Sequence, residues 1–316
     1  MPKTPTDPHR HRLGGATMGT QWSVMIDGAY GPDIADLRAI CQSAVDEVDR
    51  QMSTWTPDSD LMRFNAAPLD TWIPLPAALF EVLDAGLQIS AATDGAFEMN
   101  VGDAVHAWGF GAAGLDLAAI RAASSQPRVP AVTALQLDPD HSAARKRAPL
   151  SLDLSGIAKG YGVDRLADAL TAQGIDHALC SIDGEVRALS GQRDGTPWSV
   201  AIEAPDTQDR RALSVLGLAD KAVATSGDYR HFVTVKGTRL AHTIDPRRGA
   251  PLLNAPASVT VLADRCMPAD AMATALMVMG AAKGRQFAQT SGISALFVTR
   301  GPDGTSSLGT GLFSEA

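Results

Sequence analysis

The feature that most constrains the fold is a long stretch of regular apolar spacing between Asp33 and Met52. Apolar residues recur there every three or four positions, at Ile34, Leu37, Cys41, Ala44, Val45, Val48 and Met52. This period predicts an amphipathic helix that buries one face. Because a strand is predicted just before it, over Gln21 to Ile26, the chain is expected to pack a helix against a sheet.

Helices and strands alternate irregularly along the rest of the chain. Further helices are predicted around Leu79 to Leu87, over Gly160 to Gln173 and from about Ala269 to Gly280. Residues 124–148 are predicted as loop and short strand. Strands are predicted at His177–Ile182, Trp198–Ile202, Ala222–Thr225, Ser258–Leu262 and Ala295–Val298, with a hairpin over Phe232–Leu240 that turns at Lys236 and Gly237. This order favours an α+β fold over a doubly wound parallel sheet.

The composition excludes several classes of protein. The 316 residues are 45% hydrophobic and 20% charged, which is typical of a globular chain. With 27 Lys and Arg against 35 Asp and Glu, the net charge of -8 disfavours nucleic-acid binding. A small anionic ligand stays possible, because backbone amides, one lysine and a metal ion can hold a phosphate locally.

The N-terminal segment, residues 1–14, is rich in proline and basic residues and is predicted to be a disordered arm before a single domain over 15–316. It has neither the apolar run of a secretory signal nor a lipoprotein cysteine. We therefore expect a cytoplasmic protein as the sequence is written, and a periplasmic one if a presequence is missing. The longest apolar stretch, Ala271 to Ala282, is too short to span a bilayer.

The three cysteines, Cys41, Cys180 and Cys266, are far apart in the sequence and lack the spacing of a zinc site or a disulfide framework. We interpret them as small buried hydrophobic residues.

A glycine-rich turn that leads into a predicted helix, Asp153 to Gly162, is a candidate anion site. Gly156 and Gly160 allow a ligand or another backbone to approach closely, and Lys159 adds a mobile positive charge. Free N–H groups at the helix start suit a phosphate or pyrophosphate. A helix cap without a ligand would use the same residues.

The start of the last helix is a candidate cation site. Asp270 and Thr274 are four residues apart and therefore lie on one helix face, where they could hold a hard cation together with water and substrate oxygens. The alternative is structural, since an Asp in a first helical turn is favoured by the helix dipole and Thr274 could be a core residue.

Two polar turns complete the candidates. His242, within residues 241–249, could accept a proton near neutral pH or could simply hydrogen bond within its turn. The turn Thr225 to Tyr229 follows a strand and could equally be held by local side-chain bonding.

In this order, the motifs resemble the ApbE family of FAD:protein FMN transferases over nearly the whole chain. The motifs are Met18-Gly-Thr20 with Trp22, Ser53-Thr-Trp55, Asp58-Ser-Asp-Leu61 with Asn65, Asp94-Gly-Ala-Phe-Glu98 with Val101-Gly102, Trp108-Gly-Phe-Gly111, Asp153 to Gly162 with Asp164, Thr225-Ser-Gly-Asp-Tyr229, His242-Thr-Ile-Asp-Pro246 with Gly249, and Ala269-Asp270 to Thr274. Each motif is weak alone, but their shared order is specific.

The resemblance implies an enzyme that uses FAD as its substrate and Mg²⁺ as its metal. Such an enzyme transfers the FMN part of FAD to a Thr or Ser hydroxyl of a target flavoprotein through a phosphoester bond and releases AMP. It also implies a T-fold-like α+β architecture. Mostly antiparallel sheets would be flanked by helices around a central FAD cleft, in one domain of two closely packed subdomains.

The resemblance also implies roles for individual residues. His242 matches the catalytic histidine, and Asp270, Thr274 and the backbone carbonyl of Gly156 match the magnesium ligands. The positions implied to contact FAD are Met18, Trp55, Ala96, Phe97, Glu98, Asp153, Lys159, Thr243 and Ile244.

Four residues depart from the family pattern. Glu98 stands where relatives usually have Asp, Asp183 replaces the first Gly of a Gly-Gly-Asp turn, Thr243 replaces an aliphatic residue, and Ala273 replaces a Ser found in some relatives. Glu98 is kept as a site residue, because its longer side chain could reach the same flavin atom.

Two other functions are weighed beside the transferase: a flavin-binding or storage protein without turnover, and a FAD pyrophosphatase that yields FMN and AMP. The family's acceptor proteins carry an Asp-Gly-X-Ser/Thr-X-Thr type motif. Residues Asp303 to Leu308 of this chain resemble its beginning but lack the final Thr, and they are predicted to be a loop.

Overall fold

A layer of helices packs on one large antiparallel sheet in the computed structural model, which describes residues 10–28, 33–111, 114–125, 128–205, 211–229, 232–235, 238–301 and 304–314. The helices are α1 (Ile34–Met52), α2 (Asp60–Ala66), α3 (Ala77–Ala92), α4 (Gly102–Ala107), α5 (Leu117–Ser125), α6 (Ala131–Ala134), α7 (Ala158–Ala172) and α8 (Cys266–Thr290). A short 3-10 helix spans Gly311–Phe313.

The main sheet contains eight strands within the described residues, in the order β1-β2-β6-β7-β10-β15-β16-β17, and each neighbouring pair is antiparallel. These strands are β1 (Arg10–Thr17), β2 (Thr20–Asp27), β6 (Ala178–Ile182), β7 (Glu185–Leu189), β10 (Ala222–Gly227), β15 (Ser258–Ala263), β16 (Ser294–Gly301) and β17 (Gly304–Gly309).

The remaining strands form small separate units. They are β3 (Ile73–Pro74), β4 (Leu135–Asp138), β5 (Ala143–Lys146), β8 (Trp198–Glu203), β9 (Ala212–Leu218), β11 (Phe232–Val235), β12 (Thr238–Ala241), β13 (Ile244–Asp245) and β14 (Ala250–Pro251). β3, β5 and β4 make one sheet, and β8–β9, β11–β12 and β13–β14 are two-stranded ribbons.

Two hydrophobic cores meet at helix α8. Ala273 and Leu276 of α8 belong to the core between the main sheet and the helices, together with Trp22 of β2. Ala271 and Ala275 belong to the second core, which α2 and α3 cover. Small residues on both sides let α8 fit between the two cores. The helix is interrupted at Gly280, where φ is 77°.

Most predicted elements are confirmed. The α+β class and the mostly antiparallel sheet are as expected, and each predicted helix and strand overlaps an observed one, although α8 continues past the end predicted at Gly280 to Thr290. The predicted hairpin corresponds to β11 and β12, although its turn residues Lys236 and Gly237 lie outside the described residues. The division into two subdomains stays a prediction.

Three predictions need correction. Residues 10–14 were predicted within a disordered arm but form the first part of β1, because β2 offers a complete edge for pairing; residues 1–9 lie outside the description. The loop predicted from Asp303 is strand β17 from Gly304 onward, paired with β16, and Asp303 itself is not described. Residues 124–148 were expected to be loop and short strand, but they also contain helix α6 and the end of α5.

All three cysteines are free and buried, as predicted. Burial raises the pKa of the Cys41 thiol to about 11 and shifts the pKa of Cys180 and Cys266 in the same direction. Among the described helices, none combines the length and the apolar character needed to cross a membrane.

Candidate functional site

The first turns of α7 and α8 are in direct contact. The backbone N–H of Gly160 donates a hydrogen bond of 2.9 Å to Oδ2 of Asp270, which is only 4% exposed. A methyl group at Gly160 would lie 2.5 Å from the carbonyl oxygen of Cys266 and 2.7 Å from Cβ of Asp270. The helices can approach this closely only because residue 160 has no side chain.

A buried carboxylate fixes the position of α8. Asp164 of α7 accepts hydrogen bonds from the backbone N–H groups of Cys266 at 3.0 Å and Met267 at 2.9 Å, at the start of α8. Its charge is compensated by Arg187, 2.9 Å away. Asp164 therefore acts as a cap supplied by a neighbouring helix, and it sets where Asp270 lies along α7.

Thr274 lies one turn beyond Asp270 and faces the loop before α7. A methyl group at Gly156 would be 3.1 Å from Oγ1 of Thr274 and 3.4 Å from the ring of Phe97. The Thr274 hydroxyl also lies 3.1 Å from Oγ of Ser226, at the end of β10. The structure thus brings together Gly156, Asp270 and Thr274, the three predicted metal ligands, although their role stays a prediction.

Lys159 lies among carboxylates beside this cluster. Its Nζ is 2.8 Å from Oε1 of Glu185 and 3.7 Å from Oδ2 of Asp183. Burial alone would lower the pKa of the Lys159 ammonium, but the charges of Glu185, Asp270 and Asp183 outweigh it and raise that pKa. Burial, together with the charge of Glu185, raises the pKa of Asp270. The carboxylates thus stabilise the charged form of Lys159, whereas burial disfavours the charged form of Asp270.

The turn between β1 and β2 reaches the same region. Met18 has a left-handed backbone, with φ of 46°, and its side chain approaches Gly162, where a methyl group would lie 2.9 Å from Cε of Met18. Trp55 differs from the other candidates, because it is 63% exposed and follows the end of α1.

The predicted flavin turn at Ala96, Phe97 and Glu98 is mostly buried. Oε1 of Glu98 accepts hydrogen bonds from the backbone N–H of Asn100 at 2.7 Å and of Ala131 at 3.1 Å. Burial raises the pKa of the Glu98 carboxyl, and these amides oppose the shift. In this structure Glu98 thus connects its own turn to the start of α6, and a contact with flavin stays a prediction.

His242 lies between β12 and β13, packed against the segment that follows α4. The rings of His242 and Phe110 meet edge to face, with centroids 6.3 Å apart. Nε1 of Trp108 donates to the carbonyl oxygen of Gly249 at 3.1 Å and so ties the same segment to the far end of the His242 loop. Thr243 and Ile244, the next residues, are buried.

The ApbE family profile matches residues 18–297 of the chain. This chain belongs to the ApbE family. The FAD:protein FMN transferase of Vibrio cholerae serotype O1 is 38% identical over 299 residues, which cover 92% of this chain and 88% of the relative. The protein of the same name from Escherichia coli K12 is 33% identical, covering 92% and 84%.

Solved ApbE structures share the fold. The flavin transferase ApbE from Vibrio cholerae superimposes with a TM-score of 0.84 at 34% identity, covering 95% of this chain and 97% of that structure. The apo form of the flavinyl transferase ApbE from Pseudomonas stutzeri gives 0.83 at 35% identity, covering 95% and 94%. These matches confirm the predicted family and the predicted transferase class.

Asn65 and Asn100 hold the ApbE candidate Asp153 in place, a role that sequence reasoning did not assign to them. Nδ2 of Asn65 donates to the carbonyl oxygen of Leu152 at 2.9 Å, and its Oδ1 accepts from the Leu152 N–H at 2.8 Å. Oδ1 of Asn100 accepts from the N–H of Ser151 at 2.8 Å. The side-chain amides of Asn65 and Asn100 therefore bond backbone groups of the extended segment 151–152 that a neighbouring strand would otherwise satisfy.

Asp153 itself is only partly satisfied. Its Oδ1 accepts from the N–H of Ser155 at 2.9 Å, whereas its Oδ2 is buried and has no hydrogen-bond partner among the described residues. A buried carboxylate oxygen of this kind can accept a hydrogen bond from a bound ligand.

Glu185 was also not predicted as a site residue, because only the β6–β7 hairpin brings it to Lys159.

Proposed function

We propose that this chain is a Mg²⁺-dependent FAD:protein FMN transferase that moves the FMN part of FAD to a Thr or Ser hydroxyl of a target flavoprotein. The observation that best supports the proposal is that Gly156, Asp270 and Thr274 lie close together, next to Lys159. The relatives at 38% and 33% identity carry this enzyme name.

The residues present fit a magnesium ion. A carboxylate, a hydroxyl and a backbone carbonyl are hard oxygen donors, and Mg²⁺ commonly adds waters and substrate phosphates to one or two carboxylates. No group of three or more His, Cys, Asp or Glu side chains suited to a metal occurs in the described ranges, so the site we propose relies on Thr274, the Gly156 carbonyl, water and substrate beside the one carboxylate of Asp270. When bound by Asp270, Thr274 and Gly156, Mg²⁺ would neutralise charge on the pyrophosphate.

Lys159 would supply the nearby positive charge of the protein itself. Lys159 is the second residue of α7, next to Gly160, which binds Asp270, and its ammonium is held in place by Glu185 at 2.8 Å. Charge that develops on the phosphate oxygens in the transition state is stabilised best by groups already in place. We therefore assign Lys159 to the FAD pyrophosphate.

His242 would act as the base. Its imidazole takes the proton of the acceptor hydroxyl, the hydroxyl oxygen forms a bond to the phosphorus on the FMN side, and the phosphorus–oxygen bond to AMP breaks. The bonding electron pair leaves with AMP, so the products are a phosphoester on the target and free AMP. Phe110 limits the orientations open to the ring.

The remaining candidates would bind the rest of FAD. Asp153 can accept a hydrogen bond through its buried Oδ2, and the exposed face of Trp55 can stack on the flavin. Met18, Ala96, Phe97, Glu98, Thr243 and Ile244 complete the set we assign to FAD. The partner protein is proposed to carry an Asp-Gly-X-Ser/Thr-X-Thr type motif.

The test combines purified protein, FAD and Mg²⁺ with a peptide that carries this motif. AMP release and peptide mass are followed together, with an EDTA control and a peptide whose final Thr is replaced by Val. A peptide that gains the mass of FMN with an equal amount of AMP is the expected result. AMP with free FMN and unmodified peptide would indicate a pyrophosphatase, and bound FAD without AMP would indicate a binding protein.

A further inference from the structure

Glu185 is a buried carboxylate that the proposed reaction does not use. It begins β7 and is 2% exposed. Its Oε1 lies 2.8 Å from Nζ of Lys159, while its Oε2 has no hydrogen-bond partner in the described part of the chain. Because a buried charge is costly unless it is paired, the Lys159 ammonium is what stabilises Glu185 in this position.

The backbone of Lys159 lies next to the carboxylate of Asp270. Asp270 is bound by the backbone N–H of Gly160, the residue next to Lys159, so the lysine stem starts directly beside the proposed metal ligand. Within the described ranges, the ion pairs of Lys159 shorter than 4.0 Å are those with Glu185 and Asp183. If Glu185 no longer held the ammonium, the flexible Lys159 side chain would be drawn more strongly toward Asp270, whose charge already acts on it.

We propose that Glu185 is a positioning residue that holds the Lys159 ammonium away from Asp270 and so leaves the Asp270 carboxylate available to a divalent cation. The inference rests on the proposed function, since it takes Asp270 as a cation ligand. Asp183 contributes a second, longer contact from the same hairpin, at 3.7 Å.

A simpler effect must be distinguished from this one. Glu185 could strengthen cation binding merely by adding negative charge nearby, and its removal would then weaken binding whatever residue 159 is. If Glu185 acts by positioning Lys159, its removal should weaken cation binding mainly when Lys159 is present. The two explanations differ in whether the effects of changing residues 159 and 185 add.

The experiment is a double-mutant cycle on the full chain, with Mn²⁺ alone as the probe and free Mn²⁺ measured by electron paramagnetic resonance. The proteins are the wild type, Glu185→Gln, Lys159→Met and the double variant, each checked for a native circular dichroism spectrum at the assay temperature, because Lys159→Met alone leaves the buried Glu185 without its partner. We expect Glu185→Gln to weaken Mn²⁺ binding about tenfold, and Lys159→Met to recover about tenfold more affinity in that background than in the wild type. Glu185→Asp, which keeps the charge, should restore most of the affinity.

Equal gains from Lys159→Met in both backgrounds would overturn the proposal and leave only the general effect of charge. Asp183→Asn offers a second cycle with a milder change, and it should show the same non-additivity at smaller size. Asp270→Asn distinguishes the two levels of inference. If it leaves Mn²⁺ binding unchanged, the metal assignment itself is wrong and the role of Glu185 falls with it; if it abolishes binding while the cycle is additive, only the role of Glu185 is wrong.

Discussion

The N–H of Gly160 and the carboxylate of Asp270 are joined by a hydrogen bond of 2.9 Å between two helices that meet without an intervening side chain. The contact links the helix that carries Lys159 to the helix that carries Thr274. Any change that separates the helices therefore separates the proposed anion and cation contacts at the same time.

Gly160→Ala should disrupt this contact. The added methyl group would meet the Cys266 carbonyl oxygen at 2.5 Å, and backbone atoms cannot move aside as a side chain can. We expect a loss of about 3 kcal/mol in the free energy of unfolding, measured in urea, together with weaker Mn²⁺ binding. Gly114→Ala is the matched control, because a methyl group there has no neighbour within 4 Å. Equal stability of the two variants would contradict the close approach.

Thr274→Val tests the hydroxyl while it keeps the shape of the side chain. If Thr274 is a metal ligand, the variant should need about tenfold more Mg²⁺ for half-maximal AMP release, whereas Thr274→Ser should stay close to wild type. The hydroxyl also contacts Ser226, so Ser226→Ala serves as the control for that bond. A Mg²⁺ requirement shared by Thr274→Val and Ser226→Ala would argue against direct ligation.

His242→Ala should retain FAD but lose FMN transfer. Removal of a general base costs about 10²–10⁴ in rate, whereas the residues assigned to FAD are unaffected. Binding is measured by quenching of flavin fluorescence and transfer by peptide mass. His141→Ala is the control, because that ring is largely exposed and pairs with Asp138. Transfer at the wild-type rate would remove His242 from the mechanism.

Asn65→Leu should loosen the segment before Asp153. The variant leaves both the N–H and the carbonyl of Leu152 without their present partner, which costs about 2 kcal/mol in the free energy of unfolding. We also expect a higher KM for FAD with a smaller change in kcat, because Asp153 would be displaced. Gln88→Leu, on an exposed helix face, should alter neither quantity.

The buried thiol of Cys41 should make stability depend on pH. Its pKa is about 11 in the folded protein and near 9.0 otherwise, so the neutral thiol contributes stability that is present below pH 9 and lost as the pH rises toward 11. The difference in unfolding free energy between wild type and Cys41→Ala should narrow by about 1 kcal/mol between pH 8 and pH 10. A constant difference would show that Cys41 ionises with an ordinary pKa.

Local patterns were sufficient for the parts of the site that lie on single elements. Asp270 and Thr274 share a face of one helix, and Gly156 and Gly160 flank the start of another, so the proximity within each pair could be predicted from spacing, while their roles in binding stay predictions. Glu185 and Asn65 could not be found in this way. Their roles come from pairing with residues 26 and 87 positions away along the chain.

Strand β1 shows the same limit for the fold. Its sequence contains Gly14 and Gly15 and lacks a clear alternation of apolar residues, so it resembles a loop. A methyl group at Gly15 would lie 2.6 Å from Nε1 of Trp22, which shows that the glycine makes room for the indole of the paired strand. β1 forms because its backbone pairs with the edge of β2, and this pairing cannot be predicted from a short stretch of sequence.

Helix α8 belongs to both hydrophobic cores, since Ala273 packs into one and Ala271 into the other. Neither core can lose this helix and stay intact, so the two should melt together. Heating or urea is then expected to produce one cooperative transition seen alike by Trp fluorescence and circular dichroism. A fragment cut anywhere before α8 would lack the shared element, and the chain should therefore gain its activity only when the segment from Cys266 onward has been synthesised and has folded.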